Sequence, residues 1–161
     1  MKKIPKTNVM RILDGAKLSY QSHSYDAKDG KIDGISVSEK LSVDPSIVYK
    51  TLVTVGASGE HYVFVIGVAH ELDLKKAAAA VGEKSVHMVQ VAELLGLTCY
   101  IRGGCSPVGM KKQFATVIDE SACGKDILVS AGKIGVQVQV QAEELAGLIG
   151  AKFTSIIHSV E

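Results

Sequence analysis

Six consecutive residues near the C-terminal end, from Val136 to Gln141, alternate strictly between valine and glutamine. A period of two predicts a β-strand with valines on a buried face and glutamines on a wet face. The β-branched segment from Ile47 to Val55 is followed by Gly56-Ala57-Ser58-Gly59, which predicts a hairpin. Strands outnumber long helices, so the expected fold is α+β: one compact domain over residues 1–161 with a curved, mixed sheet and flanking helices.

Helix boundaries are marked by short polar side chains. Ser36 followed by Glu39 is a capping box, which predicts a short helix over Val37 to Leu41. Asp73 is a good N-cap for the alanine-rich helix that follows, and Gly82 is expected to end that helix.

The charge balance excludes a protein that grips nucleic acid along an extended basic face. The formal net charge is only +1, so any RNA contact is expected to be local. One basic cluster lies at the N-terminus and has a plainer interpretation as a solvated terminus; its members are Lys2, Lys3, Lys6, Arg11 and Lys17.

The cysteines indicate a reducing compartment. There are three, Cys99, Cys105 and Cys123, with no C-x-x-C pair and an odd total. No secretory signal follows the basic start, and no apolar run approaches the length of a membrane span. A soluble, cytoplasmic protein that does not contact membranes is therefore expected.

Conventional catalytic motifs are missing from the sequence. His70-Glu71 lacks the second histidine of a zinc motif, and neither a Walker A loop nor a G-x-S-x-G elbow occurs. No metal or other cofactor is expected. Cys99 or Cys105 could act as a nucleophile, although a free cysteine is more often small core filler.

Three segments could carry chemistry, and each also has a plainer interpretation. The loop Gly103 to Gly109 can present backbone N–H groups to an anion, or it can be an ordinary turn. Lys50 lies on a predicted strand, where its ammonium could hold a phosphate or carbonyl oxygen or point into water. Ser130 to Gly135 is a glycine-punctuated connection that could be a simple hairpin loop.

Taken in order, these segments and several others resemble the YbaK-type family of trans-editing deacylases, which act on cysteinyl-tRNA(Pro). The resemblance runs nearly end to end. It rests on Lys6-Thr7-Asn8, His23-Ser24-Tyr25, Glu39-Lys40-Leu41, Asp44-Pro45, Lys50-Thr51-Leu52, Leu72-Asp73-Leu74-Lys75-Lys76, Gly103-Gly104-Cys105-Ser106-Pro107 with Lys111-Lys112, Ile118-Asp119 and Ser130-Ala131-Gly132-Lys133.

The resemblance implies a fold and a site. The fold would be a compact α+β domain around a mixed, barrel-like sheet. The residues implied in catalysis are Lys50, Gly103 and Gly104, and those implied in substrate binding are Tyr25, Thr51, Ser106, Pro107, Ser130 and Gly132.

The family's proposed chemistry explains why no protein nucleophile is evident. The substrate's own cysteine thiol attacks its ester, and a cyclic thiolactone leaves the tRNA. The implied partners are tRNA(Pro) charged with cysteine and, transiently, prolyl-tRNA synthetase. Cysteinyl-tRNA(Cys) is a further candidate substrate. The alternatives are a deacylase for another mischarged tRNA, such as alanyl-tRNA(Pro), and a non-catalytic module that binds a synthetase or tRNA.

Two positions depart from the family pattern. Family members commonly have Thr-Gly-Tyr where this chain has Thr98-Cys99-Tyr100, and the glycine loop here contains Cys105. These thiols are expected to be packing residues, with sensitivity to oxidation as the alternative.

Overall fold

The computed structural model describes residues 5–158. Strands and helices follow one another along this part of the chain. The strands are β1 (Tyr20–Ser24), β2 (Tyr49–Gly56), β3 (His61–Gly67), β4 (Val86–Met88), β5 (Ala115–Asp119), β6 (Asp126–Lys133), β7 (Val136–Gln141) and β8 (Lys152–Thr154). The helices are α1 (Asn8–Gly15), α2 (Gly34–Lys40), α3 (Leu74–Val81), α4 (Val91–Thr98) and α5 (Ala142–Ile149).

The strands form two open sheets. An antiparallel sheet has the order β1-β7-β6, and a mixed sheet has the order β4-β2-β3-β5-β8. A parallel bridge from Val48 to Leu128 links β6 to the start of β2. The α+β class is confirmed, and the expected barrel-like sheet is present as two open sheets that meet at this bridge.

The predicted hairpin is confirmed as β2 and β3, which pair from Tyr49 opposite Gly67 to Val55 opposite His61. The first strand begins two residues later than Ile47, where the sequence placed it. Pro45–Ile47 forms a turn of 3-10 helix instead, and the Asp44 carboxylate accepts a hydrogen bond from the Ser46 N–H at its start.

The two predicted helix starts have different outcomes. Asp73 caps α3 by accepting from two backbone N–H groups, and Gly82 ends that helix at a φ of 73°, as expected. In contrast, the N-cap of α2 is Asp33, which accepts from the Ser36 N–H at 3.1 Å. The capping box is therefore wrong: Ser36 lies inside the first turn, because a carboxylate three residues earlier takes the capping role.

The core lies on both faces of the mixed sheet. Alternate residues of β3 point to opposite sides, and the four residues from Val63 to Ile66 are fully buried. Val63 and Val65 face the larger core, which α1, α5 and the antiparallel sheet complete. Phe64 and Ile66 face a smaller core beneath α3. In the part of the chain that the structure describes, no helix is long and apolar enough to cross a membrane.

Candidate functional site

A small cavity lies where the two sheets meet. It has a volume of about 100 Å³. It shares lining residues with an outer cavity of about 650 Å³. Lys50, Thr51 and Gly103 line both cavities. The inner cavity is further lined by Cys105, Ser130 and Gln137, so β2, β6, β7 and the glycine loop all contribute.

Lys50 contributes a cation without a fixed partner. Its side chain is half-buried, and within residues 5–158 its ammonium makes neither a hydrogen bond nor a salt bridge. Burial lowers the pKa of Lys50 below 10.5, and the Glu71 carboxylate partly opposes this effect. A desolvated ammonium that faces a cavity and lacks a partner can bind an oxygen of a ligand.

Two hydroxyl groups near this region are buried and have no hydrogen-bond partner in the described part of the chain. They are Thr51 Oγ1 and the Tyr25 phenol. Thr51 lines the inner cavity, whereas Tyr25 follows β1 and has the Lys40 ammonium 5.7 Å from its ring centroid. Buried hydroxyls normally have partners, so the Thr51 hydroxyl is available to a ligand or a water in the cavity.

The glycine loop requires both of its glycines. Gly103 has a φ of 87°, and a Cβ there would lie 2.5 Å from Ile32 Cδ1. A Cβ on Gly104 would lie 3.2 Å from the Ile134 backbone nitrogen. The Gly104 N–H donates to the Ile101 carbonyl at 3.0 Å. An oxyanion role for this glycine pair therefore falls to Gly103, and Gly104 shapes the turn.

The remaining expected site residues divide into two groups. Ser130 lines the inner cavity, and its hydroxyl accepts from the Gly132 N–H at 3.1 Å. Ser106 and Pro107 are buried but do not line the cavity, and the Ser106 hydroxyl accepts from the Val108 N–H. Ser106 and Pro107 therefore support the loop rather than touch a ligand in this cavity.

Most of the segment from Ser130 to Gly135, which could have been a simple hairpin loop, belongs to strand β6. β6 continues to Lys133, with an irregularity in its pairing with β7 between Ser130 and Lys133. Gly132 lies in this irregularity at a φ of 90° and lines a different cavity, next to the start of α1. A Cβ on Gly132 would lie 2.9 Å from Tyr100 Cε1, which explains why this position needs glycine.

The thiol in the cavity wall is poorly suited to nucleophilic attack. Burial raises the pKa of Cys105 to about 12, although a hydrogen bond with Thr98 acts in the opposite direction. Cys99 and Cys123 are exposed. Across residues 5–158, no three His, Cys, Asp or Glu side chains are grouped so that they could hold a metal ion.

Gln137 is a cavity residue that the sequence pattern placed wrongly. The alternation of β7 assigned it to a wet face, yet it is only 6% exposed and lines the inner cavity. Its Oε1 has no hydrogen-bond partner in the described residues. The sequence carried no signal for this position; in the structure Gln137 pairs directly with Ser130, which is itself a candidate site residue.

The basic N-terminal cluster contributes little that can be described. Lys2 and Lys3 lie outside the described residues. Lys6 pairs with Asp14 on α1 at 2.6 Å, and both side chains are exposed. The described part of this cluster therefore includes a solvated ion pair, as the plainer interpretation had it.

Comparison with known proteins gives consistent results. The model of the aminoacyl-tRNA editing domain family matches residues 35–148. A protein of Enterococcus faecalis named "Putative Cys-tRNA(Pro)/Cys-tRNA(Cys) deacylase EbsC" is 42% identical over 152 residues, which cover 94% of this chain and 93% of that protein.

Solved structures extend the similarity to the fold. One is described as "a putative trans-editing enzyme for prolyl tRNA synthetase"; it is 23% identical, with a TM-score of 0.80 over 95% of this chain and 99% of that one. Another, of a hypothetical protein, is 20% identical with a TM-score of 0.85 over 93% and 99% of the two chains. The family match spans more than half of the sequence and includes most of the cavity described above, and the chain therefore belongs to the aminoacyl-tRNA editing domain family.

Proposed function

We propose that this protein is a deacylase that removes cysteine from mischarged cysteinyl-tRNA(Pro), and that cysteinyl-tRNA(Cys) is a second substrate. The observation that carries the proposal is the partnerless, half-buried Lys50 ammonium beside Thr51 and Gly103. The chain belongs to a family of aminoacyl-tRNA editing domains, and the related protein from Enterococcus faecalis is named for this activity.

The sizes of the two cavities suit such a substrate. The inner cavity, about 100 Å³, has room for a small aminoacyl group but not for a nucleoside. The outer cavity, about 650 Å³, lies in the range of sites that hold a nucleotide-sized ligand. The aminoacyl ester would therefore lie inside, with the terminal ribose and base at the mouth.

The chemical step uses the substrate's own thiol. Its sulfur attacks the ester carbonyl, a C–S bond forms, and the ester C–O bond breaks with its electron pair moving to the ribose oxygen. That oxygen takes up a proton, and the cysteine leaves as a cyclic thiolactone. The protein supplies position and charge rather than a nucleophile.

The residues implied by the resemblance have different roles in this scheme, some in the cavity and some in its support. The Lys50 ammonium orients the aminoacyl ester through one of its oxygens or a nearby phosphate, and the Gly103 N–H stabilises the oxyanion that develops on the carbonyl. Thr51 and Ser130 contact the ribose or the amine. Gly104, Ser106, Pro107 and Gly132 hold the loops, and Tyr25 lies outside both cavity linings with the Lys40 ammonium over its ring.

The protein would act on tRNA(Pro) in the cytoplasm, where mischarged tRNA would otherwise enter translation. Prolyl-tRNA synthetase, in a transient complex, would supply selectivity for the tRNA body. The support is the modest net charge of +1, which leaves little electrostatic affinity for RNA, and the similarity to a structure described by its relation to that synthetase.

The first experiment measures loss of labelled cysteine from cysteinyl-tRNA(Pro), with alanyl-tRNA(Pro) and seryl-tRNA in parallel. Rapid loss from the cysteinyl substrate alone is expected. Loss from alanyl-tRNA(Pro) instead would refute thiol chemistry, since alanine has no thiol. Binding of tRNA without loss of any amino acid would contradict the enzymatic proposal altogether.

Replacement of Lys50 separates a functional from a structural role. Lys50→Met is expected to lower kcat/KM by about 10- to 100-fold, as removal of one electrostatic group does. Since burial of the ammonium opposes folding at neutral pH, the variant should be at least as stable as the parent protein. Lys84→Met, at an exposed lysine, is the control for both measurements.

Replacement of Cys105 tests the identity of the nucleophile. Cys105→Ala should retain kcat/KM within about threefold, because a thiol with a pKa of about 12 is protonated at neutral pH. Loss of a protein nucleophile typically costs on the order of 10³-fold or more. A loss of that size in a folded variant would assign the attack to Cys105 and not to the substrate.

A further inference from the structure

The buried side chain of Gln137 presents an unpaired oxygen in the lining of the inner cavity. Gln137 is 6% exposed, and in residues 5–158 no group donates a hydrogen bond to its Oε1. Buried side-chain acceptors are nearly always paired, so a missing donor in a cavity indicates a ligand group that supplies one. The neighbouring Gln139, two residues along the same strand, bonds to His23 at 3.1 Å and lies outside the cavity.

The position of Gln137 limits which part of the ligand can reach it. Gln137 pairs directly with Ser130 across β6 and β7, so both side chains lie on the same face of the antiparallel sheet. Both line the inner cavity, where Thr51 Oγ1 is also without a partner. Gln137 does not line the larger outer cavity, whereas Lys50, Thr51 and Gly103 do. The donor should therefore belong to the small, inserted end of the ligand.

The chemistry of the inner cavity matches an α-amino acid ester. An amide oxygen can only accept hydrogen bonds, and the α-ammonium group of an aminoacyl ester has three N–H groups to donate. The backbone N–H of Gly103 can donate to the ester carbonyl. The Lys50 ammonium would repel the α-ammonium, which favours a position for the amine beside Gln137, away from Lys50.

We propose that Gln137 Oε1 accepts a hydrogen bond from the α-amino group of the aminoacyl ester and makes the enzyme select substrates with a free amine. The inference rests on the deacylase function proposed above. An N-acylated aminoacyl-tRNA loses the charge and two N–H donors, and its added atoms must enter a cavity of about 100 Å³. The weaker hydrogen bond to Gln137 and the small cavity would together disfavour esters with a blocked amine, such as peptidyl-tRNA.

The test compares cysteinyl-tRNA(Pro) with 3-mercaptopropionyl-tRNA(Pro), which retains the thiol and ester but lacks the amine. The parent protein should cleave the desamino substrate about 10- to 100-fold less well, the range for a hydrogen bond to a charged group. Gln137→Met, which has a similar volume and no acceptor, should lose activity on the cysteinyl substrate to the same extent. On the desamino substrate, the same substitution should change kcat/KM by less than about threefold.

The control and the stability measurement exclude a structural explanation. Gln139→Met, on the same strand but outside the inner cavity, should leave the ratio between the two substrates unchanged. Gln137→Met should unfold at the same urea concentration as the parent protein or at a higher one, because it removes a buried acceptor without a partner. Equal losses on both substrates would overturn the proposal and assign Gln137 to the ribose or to the framework.

A binding measurement keeps the proposal testable without catalysis. Cysteine amide-linked to 3′-amino-3′-deoxyadenosine and its desamino counterpart cannot be cleaved by ester chemistry. Calorimetry should show tighter binding of the amine-containing probe to the parent protein, and no preference in Gln137→Met. Equal binding of both probes to the parent protein would refute the role of Gln137. If the parent protein prefers the amine-containing probe but deacylates no substrate, the proposed reaction is refuted and the role of Gln137 in binding the amine is not.

Discussion

At the scale of single residues, Cys99 shows how one departure from the family pattern strains the backbone. Cys99 is the C-cap of α4 and has a φ of 73°, in the left-handed region where glycine has no steric penalty. The resemblance implies glycine at this position. Cys99→Gly is therefore expected to raise the free energy of unfolding by about 0.5–1 kcal/mol.

Urea unfolding at neutral pH, under reducing conditions, measures this effect. Cys99→Ala is the matched control, since it removes the thiol but retains the Cβ that is strained at positive φ, and it should give no stabilisation. An equal gain in both variants would show that the thiol, not the backbone conformation, limits stability at this position.

The lowered pKa of Lys50 predicts a pH dependence of activity. Burial favours the neutral amine, so the ammonium is lost on the alkaline side at a pH below 10.5, the usual pKa of lysine. The enzymatic rate, after subtraction of spontaneous ester hydrolysis, should fall as pH rises through this lowered pKa. Because the folded pKa is lowered, burial of the charge destabilises the protein below that pKa, and this destabilisation is relieved as pH rises from that pKa to the unfolded value of 10.5.

Lys50→Arg provides the comparison, because a guanidinium stays charged at every pH up to about 12. Its activity should be lower at neutral pH, since the geometry differs, but it should lack the alkaline decline. A decline at the same pH in both proteins would assign the titration to a group other than Lys50.

At the scale of elements, the sequence predicted structure where one local signal had no competitor. Asp73 and Gly82 are the obvious cap residues around the alanine-rich α3, and both act as expected. At the start of α2 the sequence favoured Ser36 as the capping residue, and only the folded chain shows that the Asp33 carboxylate caps the helix.

The site illustrates the same limit across longer distances. Lys50, Thr51, Gly103 and Ser130 were all singled out beforehand, and they do line one cavity. The burial of Gln137 was not predictable from the alternation of β7, because it depends on β2 approaching β6 at the Val48–Leu128 bridge, eighty residues apart. Periodicity describes the two faces of a strand, but not what another sheet later places over one of them.

The loop that precedes α2 is held by a single cation. The Lys40 ammonium donates to the Asp26 carbonyl at 2.7 Å, to Asp29 Oδ1 at 2.7 Å and to the Lys31 carbonyl at 2.9 Å. Directly after these residues, Ile32 lines both cavities. Lys40→Met is expected to loosen the segment, with about tenfold faster proteolytic cleavage within residues 26–31.

The same change should raise KM more than it lowers kcat, because Lys40 holds a wall of the cavity and does not touch the reacting atoms. Lys28→Met is the matched control: it lies in the same loop, and its ammonium has no partner in the described residues. Unchanged cleavage in Lys40→Met would mean that the turns themselves, not the cation, define this loop.

At the scale of the whole molecule, the charges are almost balanced, with 18 lysines and arginines against 17 aspartates and glutamates. Within this balance, Lys50 and Arg102 both line the outer cavity, where the acceptor end of a tRNA would enter. In the proposed function these two cations would hold the end of the substrate at one place, and a net charge of +1 would add little electrostatic affinity for the tRNA body.

This arrangement predicts a shallow dependence of activity on salt. Two phosphate contacts to a single-stranded acceptor end should give a slope of about −1.5 for log kcat/KM against log salt concentration. Arg102→Gln should reduce the steepness by about 0.7, whereas Arg11→Gln, at an exposed residue on α1, should leave it unchanged. A slope steeper than about −4 would show that the protein binds the tRNA body along a surface that its net charge does not reveal.

Because the slope counts contacts directly, addition of prolyl-tRNA synthetase should lower KM for tRNA(Pro) and steepen the slope, since the synthetase would supply the missing phosphate contacts.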